Sequence, residues 1–133
     1  MSLLLDTHTI LWSILRPNRL PTASRKAIED PATEVFVSSV SLWEISIKSR
    51  LGKLSLVDLS TEDVIPSVIK MGFVPIALTP DEAITQGSLK ENTHFDPFDR
   101  MLIWQAISRK MTLVSGDPEF QRFVSDGLKL LWK

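Results

Sequence analysis

The apolar residues of this chain change their spacing again and again, and each change marks an element. Leu3, Leu4 and Leu5 form a run too short for a helix that stops at Asp6. After it, Ile10, Leu11, Ile14 and Leu15 recur at helical spacing as far as Pro17. This reads as strand, then helix. A second helix begins near Pro21, with Thr22 in its first turn, and runs through Ala27 and Ile28 to Pro31. Residues 34–38, EVFVS, are β-branched and aromatic and read as a strand. Ser39 or Ser41 can cap the helix that follows, whose Val40, Trp43, Ile47 and Leu51 fall three and four apart as a buried stripe, and Gly52 supplies the stop.

The alternation continues to the end. Thr61, Glu62 and Asp63 open a helix over residues 64–71 that Gly72 closes, and residues 73–77 read as a short strand. Pro80, Asp81 and Glu82 form another helical first turn. Residues 94–97 read as a loop, 98–110 as a strongly periodic helix and 112–115 as a strand. A short helix over 119–124 and an edge strand over 128–132 complete the pattern. Strands that alternate with helices predict an α/β fold: a central, mostly parallel sheet of about five strands, covered by helices on both faces. Residues 1–133 show no internal repeat or linker and fit a single domain, long enough to bury its own core.

In such a sheet, ligands gather outside the carboxyl ends of the strands. Four acids are placed to meet there. Asp6 ends one apolar strand, and Asp117 follows another by two residues. Glu44 lies four residues after Val40 and three before Ile47, and Asp99 shares a helix side with Leu102, Ile103 and Ala106. Carboxylates gathered from separate elements repel one another, and burying them without a counter-charge costs several kcal/mol or forces protonation, so a divalent cation is the natural resolution.

Each acid also has a plainer explanation. Asp6 can cap the helix after it. Asp96 before Pro97 and Asp117 before Pro118 both fit an N-cap followed by proline at the first helical position. Glu44 can pair with Lys48 one turn on, worth about 0.2–0.5 kcal/mol on an exposed face. Asp99 stands where the helix dipole favours an anion. Each of these accounts for one residue, and none accounts for all four at one edge of the sheet.

Composition narrows the chemistry. With 44% hydrophobic and 23% charged residues, the chain is too apolar for disorder. No apolar stretch approaches the roughly 20 residues of a membrane span, and the start, MSLLLDTH, has no basic segment, so the expectation is a soluble, cytoplasmic protein without a membrane partner. Cysteine is absent, which removes disulfides, thiol nucleophiles and cysteine-bound metals. His8 and His94 are far apart with no third partner, so any metal must prefer oxygen, as Mg²⁺ and Mn²⁺ do. Fifteen Lys and Arg balance sixteen Asp and Glu, giving a net charge of −1 and no basic block that would mark a nucleic-acid surface. Lys48, Arg50 and Lys53 read first as a solvated helix end, and Trp12, Trp43 and Trp104 as core or interface packing.

Three stretches, LLLDTHTILW at 3–12, SLWEISIK at 41–48 and HFDPFDRMLIWQAISRKMTLVSGDPEF at 94–120, resemble the PIN-domain family, and more closely the VapC-type ribonuclease toxins of bacterial toxin–antitoxin pairs. The resemblance spans nearly the whole chain. It implies a metal-dependent endoribonuclease of PIN-like three-layer fold that leaves a 5′-phosphate and a 3′-hydroxyl. It carries the acidic set onto Asp6, Glu44, Asp99 and Asp117, with Asp96 as a helper and Ser115 standing where many relatives have Thr. Asp6, Asp99 and Asp117 are then assigned to ligation, and Glu44 to a second ion or to orienting water. RNA would be held by its backbone, with Arg100, Lys48 and Arg50 the nearest cations in sequence. A homodimer and a small antitoxin are implied as partners. A receiver domain would need an acidic pair after the first strand, and a haloacid-dehalogenase-type phosphatase an Asp where His8 stands. A non-catalytic nucleic-acid-binding module on the same fold is the remaining alternative.

Overall fold

The computed structural model describes residues 1–54 and 59–133. Its chain order is β1 (Ser2–Leu5), α1 (Thr7–Leu15), α2 (Thr22–Glu29), β2 (Glu34–Ser38), α3 (Ser39–Arg50), α4 (Thr61–Lys70), β3 (Val74–Ile76), α5 (Pro80–Thr85), α6 (Pro97–Ser108), β4 (Thr112–Val114) and β5 (Lys129–Leu131). Short 3-10 helices occupy Pro17–Arg19, Gln86–Ser88 and Pro118–Asp126. The strands form one sheet in the order β3-β2-β1-β4-β5, and every pairing is parallel. Among the described residues no helix is long and apolar enough to cross a membrane.

The three leucines of β1 are consecutive because β1 is the central strand and both of its faces are covered. Leu3 and Leu5 point to one side, where Val35 and Val37 of β2 and Val114 of β4 join Ile10 and Leu11 of α1, Ile28 of α2 and Val64 and Val68 of α4. Leu4 points to the other, where it meets Leu113 of β4, Leu102, Ile103 and Ala106 of α6, and Phe120 and Phe123. Helix, sheet and helix thus form three layers with a separate apolar core on each side of the sheet, as the alternating pattern predicts.

The chain builds β1, β2 and β3 outward on one side, then crosses to the far side of β1 for β4 and β5. The strand order therefore reverses between β1 and β4, which opens a crevice at their carboxyl ends. Asp6 follows β1 there, and its backbone N–H still reaches the Val114 carbonyl at 3.1 Å.

The structure corrects the reading of α3. The cap is Ser38, whose hydroxyl accepts from the Val40 N–H at 3.0 Å, because β2 runs directly into the helix. The buried face carries Val40, Ser41, Glu44 and Ile45, while Trp43 is 59% exposed and Leu51 is also exposed. Trp43 packs edge-on against Phe98 of α6, ring centroids 5.0 Å apart, at the surface. The apolar stripe misleads here because the helix turns two polar residues inward. Trp104 does pack against the Phe120 and Phe123 core, and Trp12 against the core of the opposite face.

A polar network ties α5 to α6 beside the sheet. Thr79 and Glu82 cap α5 reciprocally, with the Glu82 N–H donating to the Thr79 hydroxyl and the Thr79 N–H to the Glu82 carboxylate. Arg109 reaches Glu82 from beyond α6 at 2.7 and 2.8 Å, and buried Gln105 donates to the same carboxylate at 3.1 Å. The guanidinium, with these hydrogen bonds, holds the Glu82 carboxyl down at about 2. A depressed folded pKa adds stability above the ordinary carboxylate range and loses it as pH falls through the folded value. Glu82→Gln is expected to cost about 1–2 kcal/mol at pH 7, solvent around Arg109 screening part of the full shift. In denaturant unfolding curves that cost should shrink between about pH 4.5 and pH 2; a cost that stays constant over this range would mean the ion pair contributes nothing.

Candidate active site

The crevice is a cleft of about 480 Å³ lined by five carboxylates, Asp6, Glu44, Asp96, Asp99 and Asp117, together with Lys48. Three of the acids cap helices as well as face the cleft. The Asp6 carboxylate accepts from the Thr9 N–H at 2.8 Å at the start of α1. Asp96 accepts from the Asp99 N–H at 3.0 Å at the start of α6. Asp117 accepts from the Glu119 N–H at 2.9 Å, and its own N–H donates to the Ser115 hydroxyl at 3.1 Å. Capping and lining the cleft are therefore not alternatives at these positions: a cap occupies one lone-pair direction of a carboxylate and leaves others unused.

Glu44 and Asp99 are set differently. Glu44, 6% exposed on the inward face of α3, accepts from the Thr7 hydroxyl and from the Lys48 ammonium at 2.6 Å. The Lys48 pair is the one expected along a helix, but it stands against the cleft and raises the Lys48 pKa. Asp99, in the first turn of α6, meets His94 Nε2 through Oδ2 at 2.9 Å. The His94 ring is itself held edge-on by Phe120 and Phe123.

Glu44, Asp96 and Asp99 each bring a carboxylate oxygen within 4.8 Å of the others. Asp6 and Asp117 line the same cleft without joining this trio. The tightest acidic group thus runs through Asp96, which the sequence places as a cap and helper, instead of through Asp6 and Asp117. Burial, and then the charges of Asp96 and Glu44, push the Asp99 carboxyl up to about 6 against the opposing His94 hydrogen bond. Burial likewise raises Asp6, with hydrogen bonds from Ser115 and Thr9 acting in the other direction.

These features test the fit of a cation. The donors of the trio are all carboxylate oxygen, and at Asp99 burial and the neighbouring charges penalise ionisation, which a hard divalent ion relieves. The Lys48 ammonium lies against the cluster and offsets part of the same repulsion, and His94 hydrogen-bonds Asp99.

Of the candidate RNA-contacting cations, Lys48 lines the cleft. Arg50 is exposed at the last position of α3, outside the cleft lining. Arg100 is directed inward: its guanidinium donates to the Glu91 and His94 carbonyls at 2.7 and 3.1 Å and lies 5.8 Å over the Phe123 ring, so it braces the loop that carries His94. Two site residues escape the sequence reading. Thr7 is signalled only by its position after Asp6. His94 is set aside for want of further metal-binding partners, whereas its partner here is a carboxylate.

Three comparisons agree with this architecture. The sequence model of the PIN domain family matches residues 3–125. Ribonuclease VapC22 of Mycobacterium tuberculosis is 29% identical over 118 residues, which is 87% of each chain. Among solved structures, VapBC2 from Rickettsia felis, bound to a DNA fragment from their promoter, superposes with a TM-score of 0.73 at 17% identity over 100% of both chains. VapBC-1 from nontypeable Haemophilus influenzae gives 0.65 at 21% identity over 98% of this chain and 97% of that one. With the family's model covering nearly the full length, from the first strand to the 3-10 helix after β4, the chain belongs to the PIN domain family.

Proposed function

We propose that this chain is a divalent-metal-dependent endoribonuclease, the toxin of a toxin–antitoxin pair, held in check by a small antitoxin and acting as a homodimer. The observation that carries the reading is the meeting of Glu44, Asp96 and Asp99 within 4.8 Å, in one cleft with Asp6 and Asp117. The likeness to Ribonuclease VapC22 supports the choice of RNA as substrate, and the likeness to two VapBC assemblies supports an antitoxin as partner.

Glu44, Asp96 and Asp99 would hold the ion, with Asp6 and Asp117 lining the same cleft. Bound there, Mg²⁺ or Mn²⁺ supplies charge neutralisation at the scissile phosphate and a lowered pKa for coordinated water. The protein's part is to aim its oxygens before substrate arrives. Thr7 fixes Glu44, His94 fixes Asp99, and the capping N–H groups of Thr9, Asp99 and Glu119 fix Asp6, Asp96 and Asp117. Orientation set in advance costs nothing at the moment of reaction. Lys48 keeps a positive charge at the mouth of an otherwise anionic cleft, where an incoming RNA phosphate would meet it.

In an assay with single-stranded RNA and Mn²⁺, the wild type is expected to cleave, EDTA to stop it, and Asp99→Asn or Asp6→Asn to lower the rate by about 10²-fold or more, with 5′-phosphate ends on the products. RNA cleavage unchanged by EDTA or by Asp99→Asn would reject the reading. Because Asp99 of the metal-free protein takes up a proton near 6, the Mn²⁺ concentration needed for half-maximal cleavage should rise as pH drops through about 6.

Stability should move the other way. A carboxyl raised in the folded state stabilises below the unfolded pKa and loses that contribution as pH rises through the folded value, here about 6. Stripped of divalent ions, the wild type should therefore gain about 1–2 kcal/mol on going from pH 7.5 to pH 5, and Asp99→Asn should show little of this gain. Thermal melts of the two proteins in EDTA at both pH values read the difference; parallel pH dependence in the two would mean Asp99 is not strained by its neighbours.

A further inference from the structure

Beside its acids, the cleft has an aromatic flank that the chemistry above does not use. His8, Trp12 and Trp132 all line it. Their rings follow one another, His8 edge-on to Trp12 at 6.2 Å between centroids and Trp12 tilted against Trp132 at 5.9 Å. Trp132 is the residue built into place. On one side Leu131 pairs with Val114 in the sheet; on the other the Lys133 backbone is tied to Ser24 of α2 by three hydrogen bonds, of 2.8, 3.1 and 3.3 Å. Its indole covers Gly116, where an added Cβ would come within 2.5 Å of the ring, so the glycine before Asp117 is the space the indole needs.

The ring is only partly buried, and it borders a second cleft, of about 340 Å³, which Gln121 and Lys133 line beyond it. Gly116, Asp117 and Trp132 are common to both clefts. A nucleic-acid strand alternates anionic phosphates with flat apolar bases, and this site alternates in the same way: carboxylates suited to a metal-bridged phosphate, an indole face, then a lysine. Every base has a π-face, so a rigid indole beside the reacting phosphate recognises a nucleobase without demanding a particular one.

We propose that Trp132, buttressed by Trp12 and seated on Gly116, is the platform on which the RNA base next to the scissile phosphate stacks, and that it positions the phosphate over the acidic trio. The inference rests on the nuclease reading for its substrate. It adds a substrate-binding residue from just beyond the last strand.

The test compares the full chain and its variants on short single-stranded RNAs, each intact or lacking one base in turn. Removing the base beside the cut should raise the wild-type KM about tenfold with less change in kcat. Trp132→Leu, which keeps apolar bulk without a π-face, should lose about the same factor on intact RNA and nothing further on the abasic one. Trp132→Phe should stay within about threefold of the wild type. Gly116→Ala, which drives the indole from its seat, should behave as Trp132→Leu does. Equal abasic penalties in the wild type and Trp132→Leu, with both folded by circular dichroism, would overturn the platform while leaving the nuclease intact. Should Trp132→Leu fail to fold, the same comparison with Gly116→Ala decides. Should the wild type bind RNA in Ca²⁺, read by anisotropy of a labelled strand, yet cleave none in Mn²⁺, the nuclease reading fails and the same comparison in binding decides the platform. Absence of any RNA binding overturns both.

Discussion

Mutual repulsion among five carboxylates sharing one cleft is the constraint around which this molecule is organised. Left alone, such a group would protonate, separate or unfold, and the structure opposes each outcome with a specific contact. Backbone N–H groups at three helix starts hold Asp6, Asp96 and Asp117. A hydroxyl and an ammonium hold Glu44, and an imidazole holds Asp99. The stress is still visible in Asp99, which burial first, and then the charges of Asp96 and Glu44, push up to about 6. A site that is uncomfortable when empty has free energy available for binding a cation, so its local instability and its affinity share one origin.

The same constraint explains which parts of the molecule were legible in sequence. Strand and helix order could be read because β1 is buried on both faces and must be a run of leucine, and because proline and glycine punctuate the helices. The acids at strand ends could be placed because a parallel sheet brings Asp6 and the segment after β4 to one edge whatever the intervening chain does. The inward face of α3 could not be read, for a physical reason: periodicity assumes that the buried side is the apolar side, and here the helix buries Ser41 and Glu44 while leaving Trp43 in solvent. The rule failed at the site itself, where function displaces packing.

Side-chain partnerships were less accessible still. Nothing in a linear pattern says that the Thr7 hydroxyl reaches Glu44 across 37 positions, or that Arg100 turns back to the carbonyls of its own loop. Such contacts depend on rotamers and helix placement to within about an ångström. Asp96 shows the limit of choosing between roles: the features that made it a good cap, its place before Pro97 and at the start of α6, also deliver its carboxylate to the trio.

The position of β1 at the middle of the sheet has a consequence for synthesis. Its neighbour β2 follows within about thirty residues, but its other neighbour, β4, begins at residue 112. A ribosome-bound chain that has reached α3 has Asp6 and Glu44 but no second wall to the crevice, and α6 must emerge before Asp96 and Asp99 can reach them. The full acidic set, and the indole after it, come together only when the last elements have left the exit tunnel. Assembly of the cleft is in this way deferred until the segment beyond β4 has been synthesised.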